Sequence, residues 1–189
     1  TISKVASITK MMFASAVFQL VEQGKVNLDD KVSKWIDKDI IKHVKNSEMS
    51  TLRDLLQHSS GIYDIIDDGD FYLAVLNNPN KKWEAEELIK FAYDKPTKLE
   101  YKTPALKGSY SNTNTLLLTM CIEKITGEPH AKWMNELVIQ KLGLSNTIYH
   151  SHDNLPSSVA QGYYDLYNNG SIVNVSNLIT GNGHGYNGI

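Results

Sequence analysis

The sequence predicts an α+β protein, helix-rich over residues 7–147 and β-leaning over 148–189. Three observations carry this. Apolar runs at helical spacing end repeatedly on a glycine, at Gly24, Gly127 and Gly143. Helix-start chemistry precedes others, with Thr51 and Asp54 spaced as a capping box and Glu84, Glu86 and Glu87 grouped where a helix dipole favours acids. From Ile148 onward the composition turns to tyrosine, valine, asparagine and glycine, the chemistry of short strands and turns.

In chain order, a first helix is expected from about Ser7 to Gln23, its apolar face made by Ile8, Met11, Met12, Ala16, Phe18, Leu20 and Val21. The turn over 25–30 leads into a short helix carrying Val32, Trp35 and Ile36, and the polar stretch 42–50 reads as loop. A helix from Thr51 carries Leu52, Leu55 and Leu56 and stops at His58-Ser59-Ser60-Gly61. Residues 62–82 mix short helical pieces with turns, and the acidic run Asp67, Asp68, Asp70 around Gly69 reads as a solvated turn without the terminal glutamate of a calcium loop. Helices follow at Glu84–Tyr93, Asn112–Ile125 and Pro129–Leu142, with Pro96 and Pro104 bracketing an irregular segment. The chain shows no internal repeat, and residues 1–189 fit one domain or one and a half by length.

Bulk properties narrow the function classes. The 189 residues carry 41% hydrophobic and 21% charged residues, the composition of a globular chain. A net charge of −2 argues against nucleic-acid or anionic-membrane partners, and with Arg53 the only arginine the bidentate fork suited to phosphate is almost absent. The single cysteine, Cys121, sits in an apolar helical run, which excludes a disulfide framework within the chain. No stretch approaches the length of a membrane span. His150 and His152 alternate as strand neighbours do, but no second ligand cluster supports a metal site, and no cofactor is expected.

Two constellations carry chemistry. Ser7-Ile8-Thr9-Lys10 is the one S-x-x-K match in the chain, and its spacing puts hydroxyl and amine on one helix face. A serine hydroxyl needs a base to attack a carbonyl, and a desolvated lysine either accepts its proton or stays charged and holds a phenolate. Tyr110-Ser111-Asn112, at the entrance of the long apolar helix, offers that phenol and a side-chain amide for a carbonyl or the lysine. Tyr167-Asn168-Asn169 matches the same pattern in a glycine-flanked turn with no helix after it. His58 reads as a structural hydrogen-bonding residue.

With these blocks the chain resembles the serine β-lactamase and penicillin-binding-protein superfamily, in its class C β-lactamase-like branch, which includes D-alanyl-D-alanine carboxypeptidases, D-aminopeptidases and esterases. Ser7-Ile8-Thr9-Lys10 is similar to the nucleophile motif, residues 20–32 to the helix exit after it, Leu55 to Gly61 to the H-T-S-G turn, Tyr110-Ser111-Asn112 to Y-x-N, and Leu142 to Thr147 to L-G-M-x-x-T. Five ordered blocks are far more specific than one short motif, and tyrosine at the second motif distinguishes the class C-like branch. The resemblance implies a β-lactamase/transpeptidase-like fold, an antiparallel sheet flanked by helices plus a helical region. It implies a serine hydrolase acting through an acyl-enzyme on an amide, peptide, β-lactam or ester bond. Ser7 would be the nucleophile, Lys10 would tune or accept its proton, Tyr110 would act as general base and then acid, and Asn112 would contact substrate and Lys10. The Ser7 N–H would form half the oxyanion hole. The rival reading is a non-catalytic peptide- or cell-wall-binding protein on the same fold. A periplasmic, secreted or cell-envelope location is the family expectation.

One motif departs from the family. K-T-G or H-x-G, on a late strand that also supplies the second oxyanion donor, is not found, since Gly183-His184-Gly185-Tyr186 does not fit it. An N-terminal strand pair is likewise not found before Thr1. The expectation is therefore an internal, mostly helical fragment lacking outer sheet strands and poorly active in isolation, one oxyanion donor being worth about 10²–10³ in rate.

Overall fold

Phe13, Ala16, Val17 and Leu20 recur at helical spacing, and each is at most 1% exposed. They form the buried face of α1 (Thr9–Glu22), which is entered through a 3₁₀ turn, Ala6–Ile8. A computed structural model describes residues 2–79, 81–101, 108–149 and 157–176. Ser7 thus lies in the tighter turn ahead of the α-helix, and α1 closes at Gln23 before left-handed Gly24. The face differs from the sequence expectation. Ile8, Met11 and Phe18 are exposed, and Phe13 and Val17 take the core positions. The helix is apolar on more than one side, so composition alone does not select the buried stripe.

After α1, a 3₁₀ turn Val32–Lys34 buries Val32. α2 (Lys38–His43) follows, capped by the Asp37 carboxylate on the Asp39 N–H, and so occupies the start of a stretch expected to be loop. α3 (Leu52–Leu56) carries the expected capping box between Thr51 and Asp54. A 3₁₀ turn Ile65–Asp67 and α4 (Gly69–Asn77) come next. Asp68 is not solvated. It is 3% exposed, caps α4 through the Asp70 and Phe71 N–H groups, and pairs with Lys95. α5 (Ala85–Leu88) starts on a Glu84–Glu87 capping box and runs into a 3₁₀ segment, Ile89–Ala92.

The core centres on α6 (Asn112–Thr126), whose residues 112–122 are all buried. Leu116, Leu117, Leu118, Cys121 and Ile122 are each at most 2% exposed, and Gly127 ends the helix in the left-handed conformation at φ 70°. Burial raises the Cys121 thiol pKa and leaves it inert. α7 (His130–Met134) continues as a π-helical stretch, Asn135–Gln140, and packs Trp133 edge-to-face on Phe13 at 5.1 Å. Among the described residues the sheet is a two-stranded antiparallel hairpin, β1 (Tyr163–Tyr164) with β2 (Val173–Asn174), Tyr163 opposite Asn174. The segment before Ser7 docks on this tail. Ile2 bridges Val159, and Lys4 Nζ donates to the Ser176 carbonyl at 2.7 Å. Among the described residues, no helix is long and apolar enough to cross a membrane.

One glycine decides the packing beside the site. Gly61 has φ 70°, and a Cβ there would stand 2.1 Å from the Leu99 carbonyl oxygen. Only glycine lets the chain at 98–99 approach so closely, fixed by the Lys98 N–H to Gly61 carbonyl bond at 2.8 Å.

Candidate active site

The polar start of α6 is buried because residues 58–65 satisfy it. Ser111, the residue before the helix, makes no side-chain cap and instead donates from Oγ to the Tyr63 carbonyl at 3.1 Å. Thr113 Oγ1 accepts from the Ile65 N–H at 3.0 Å, and Asn114 Oδ1 accepts from Ser60 Oγ at 2.6 Å. Each buried polar group thereby has a partner, the condition for placing Asn112, Thr113 and Asn114 inside. This stitching fixes where Tyr110 and Asn112 project.

They project onto Ser7 and Lys10. Ser7 Oγ lies 2.9 Å from Tyr110 Oη, and Lys10 Nζ donates to Ser7 Oγ at 3.0 Å. Lys10 Nζ also donates to Asn112 Oδ1 at 2.9 Å, and Tyr110 Oη donates to the same oxygen at 3.4 Å. A tyrosine has one hydroxyl proton. With that proton on Asn112, Tyr110 accepts from Ser7, so the serine proton faces the phenol oxygen. Four residues from two segments, 103 positions apart at Ser7 and Tyr110, meet in one hydrogen-bonded cluster.

The cluster is open on one side and buried on the other. Tyr110 is 47% exposed and Asn112 3% exposed. Burial pushes the Lys10 ammonium pKa down, opposed by its hydrogen bond and charge interaction with Tyr110 and by the Asp64 carboxylate. A lysine so placed gives up its proton more readily than a solvated one. The Ser7 N–H precedes the first turn's hydrogen bond, Ile8 N–H to the Val5 carbonyl at 3.1 Å, where helical N–H groups lack an intrahelical acceptor. Ala6, directly before the serine, has φ 45°, an unusual conformation for a residue with a side chain.

His58 supports Tyr110 from behind, with ring centroids 4.5 Å apart. The Ser111 N–H donates to His58 Nδ1 at 3.3 Å, so that nitrogen is an acceptor and the neutral ring carries its proton on Nε2. Burial, then the Lys10 charge, hold the imidazole below its ordinary 6.5. Unfolded His58 therefore binds a proton at higher pH than the folded form, and stability falls as pH drops through the window below 6.5. Urea unfolding at about pH 7 and about pH 5 should show this loss. His58→Asn, whose Oδ1 can still accept from Ser111 and which tolerates the left-handed φ of 54°, should flatten it.

Sequence reasoning missed two groups, Asp64 and Lys98. Asp64 is 2% exposed and accepts from Asn112 Nδ2 at 3.1 and 3.3 Å. Lys98 Nζ reaches Asp64 at 3.8 Å, Asp67 at 2.6 Å and the Tyr110 carbonyl at 3.3 Å. The available signal was an acid set between Ile62 and the pair Ile65-Ile66. His150, His152, the Gly183-His184-Gly185-Tyr186 segment and Pro104 lie outside the described residues. Among the described residues, no three His, Cys, Asp or Glu side chains could hold a metal together. Tyr167 is 68% exposed, and none of the hydrogen bonds described for the cluster involves it.

Known proteins place this geometry in context. The family model described as Beta-lactamase matches residues 1–177. A D-stereospecific amidohydrolase from Streptomyces sp. superposes with a TM-score of 0.84 at 30% identity, over 98% of this chain and 55% of that one. A penicillin-binding protein from Bacillus halodurans superposes with a TM-score of 0.79 at 27% identity, again over 98% and 55%. A candidate D-alanyl-D-alanine carboxypeptidase of Escherichia coli (strain K12) is 31% identical over 166 residues, 79% of this chain and 34% of that protein. The chain spans about half the length of the solved neighbours, at 55%, and about a third of the curated relative, at 34%.

Proposed function

Because this chain belongs to the Beta-lactamase family, we propose that it carries the nucleophile half of a serine hydrolase acting through an acyl-enzyme on an amide or peptide bond. The carrying observation is Ser7 Oγ held at 2.9 Å from Tyr110 Oη and 3.0 Å from Lys10 Nζ. Ser7 Oγ attacks the substrate carbonyl carbon, and its proton passes to Tyr110 as the phenolate beside the Lys10 ammonium, the pair formed when the phenol proton moves to the Lys10 amine. The carbonyl oxygen gains the charge and takes a hydrogen bond from the Ser7 N–H. Collapse breaks the bond to the leaving amine, which receives a proton from Tyr110. A water then attacks the acyl-enzyme with Tyr110 as base, and Ser7 Oγ regains its proton as the acid product leaves. Asn112 orients Lys10 through its Oδ1 at 2.9 Å, and the substrate contact expected from the resemblance would need its buried amide to exchange a partner.

The preference for amides draws on the likeness to the Streptomyces amidohydrolase, and the class C-like assignment on tyrosine at the second motif. A β-lactam or an ester presents the same carbonyl to the same nucleophile and belongs to the same proposal. So does a cell-envelope location, which suits a cell-wall peptide. The domain assignment over 1–189, as part of a larger hydrolase domain, is proposed with it. The substrate class is tested on the full-length protein with a D-amino acid amide, a D-alanyl-D-alanine peptide, a penicillin and a simple ester. Tyr110→Phe should lower kcat on the accepted substrate by about 10²–10⁴, the usual worth of a general acid–base group. Unchanged kcat would remove Tyr110 from the proton path.

A further inference from the structure

We propose that Asp64 is the positioning residue that fixes the Asn112 amide in one orientation and, through it, holds Lys10 against Ser7. Three observations carry this. The Asn112 side chain is buried between Asp64 on its Nδ2 side, at 3.1 and 3.3 Å, and Lys10 on its Oδ1 side, at 2.9 Å. An ionised carboxylate only accepts and an ammonium only donates, so the amide has one satisfying orientation. The reverse would face oxygen to oxygen and NH₂ to ammonium, leaving buried groups unpaired. Asp64 in turn is set by donors alone, the Asn112 amide and backbone N–H, the Ile66 N–H at 3.3 Å and the Lys98 ammonium at 3.8 Å. These donors favour the ionised carboxyl, and burial opposes it.

The charged and titratable groups facing Lys10 are Tyr110, Asp64 and His58, with Lys98 and Asp67 behind Asp64. Asp64 is the buried anion of this group and favours the Lys10 ammonium. Its own carboxyl is pushed above the ordinary 3.8 by burial, so folding costs stability as pH rises above 3.8 and the carboxyl ionises. By this linkage the ionised Asp64 lowers stability, so its place between Asn112 and Lys98 is read from the geometry of the site and not from a gain in stability.

Asp64→Asn separates the two roles. An asparagine accepts or donates, so Asn112 can turn over, and the anion beside Lys10 is gone. The Lys10 titration, followed by carbon-13 NMR at its Cε, should move to lower pH in Asp64→Asn, with no fall in Tm at neutral pH. Asp64→Ser, which removes the charge with less volume, should give the same shift and serves if the asparagine variant does not fold. An unchanged Lys10 titration, or a lowered Tm with an unchanged titration, overturns the proposal and leaves Asp64 a structural residue. The kinetic arm rests on the hydrolase reading. Ser7 acylation by a fluorophosphonate should slow on the order of 10²-fold in Asp64→Asn, the scale of a misplaced catalytic group, with its acid limb moved to lower pH. An unchanged rate and pH profile again overturns the proposal. Absence of wild-type labelling would instead sink the hydrolase reading, while the Lys10 titration still decides the role of Asp64.

Discussion

Replacing Ser7 with alanine is expected to abolish acylation and lower kcat on the order of 10⁶-fold, the scale seen when the nucleophile of a serine hydrolase is removed. The expectation follows from the geometry. Tyr110 and Lys10 both hydrogen-bond to Ser7 Oγ, at 2.9 and 3.0 Å, the one serine hydroxyl in the described cluster. The substitution removes a small exposed hydroxyl from a 3₁₀ turn that buries none of its residues, so Tm should move little. A protein that only binds cell-wall peptide would keep its affinity in Ser7→Ala and show no covalent intermediate in the wild type. Turnover and adduct formation lost together, with fold retained, support the enzyme.

Phe13→Ala is expected to cost about 3–5 kcal/mol, the range for deleting a buried aromatic ring. Phe13 is 0% exposed and joins α1 to α7, meeting Trp133 at 5.1 Å and Tyr149 at 6.1 Å between ring centroids. Tyr149 is itself buried and bonded through Oη to His130 Nδ1 at 2.9 Å, so the wall around the ring is tied down and cannot collapse to fill the gap. The effect should reach the site, because α1 carries Lys10 one turn before Phe13. Urea unfolding measures the stability loss, and the fluorophosphonate labelling rate measures the transmitted effect. A loss under about 1 kcal/mol would mean that α1 is held to α7 by contacts other than this ring.

What could be read from the sequence was local. Glycine at 24, 127 and 143 fixed helix ends because each adopts the left-handed conformation, and the Thr51–Asp54 box formed because both of its hydrogen bonds lie within four residues. Ser7 and Lys10 were legible through helical spacing, and Tyr110 and Asn112 through the ordered blocks around them. What escaped depended on distant partners. Ile8, Met11 and Phe18 are as apolar as Phe13 and Val17, and the placement of α6, α7 and the π-helical stretch after it decides which set is buried. Asp68 looks like a turn acid until Lys95, 27 positions on, arrives to pair with it (95 − 68). Asp64 and Lys98 belong to no short motif, because their roles arise where the Gly61 turn lets the chain at 98–99 approach.

The most direct measurement is peptide mapping by mass spectrometry after the full-length protein is treated with a fluorophosphonate probe. One adduct per chain on Ser7, lost in Ser7→Ala and slowed in Tyr110→Phe, is the expected result. No adduct, or an adduct carried by another residue such as Ser109 or Ser15 while Ser7 stays free, would contradict the assignment of Ser7 as nucleophile.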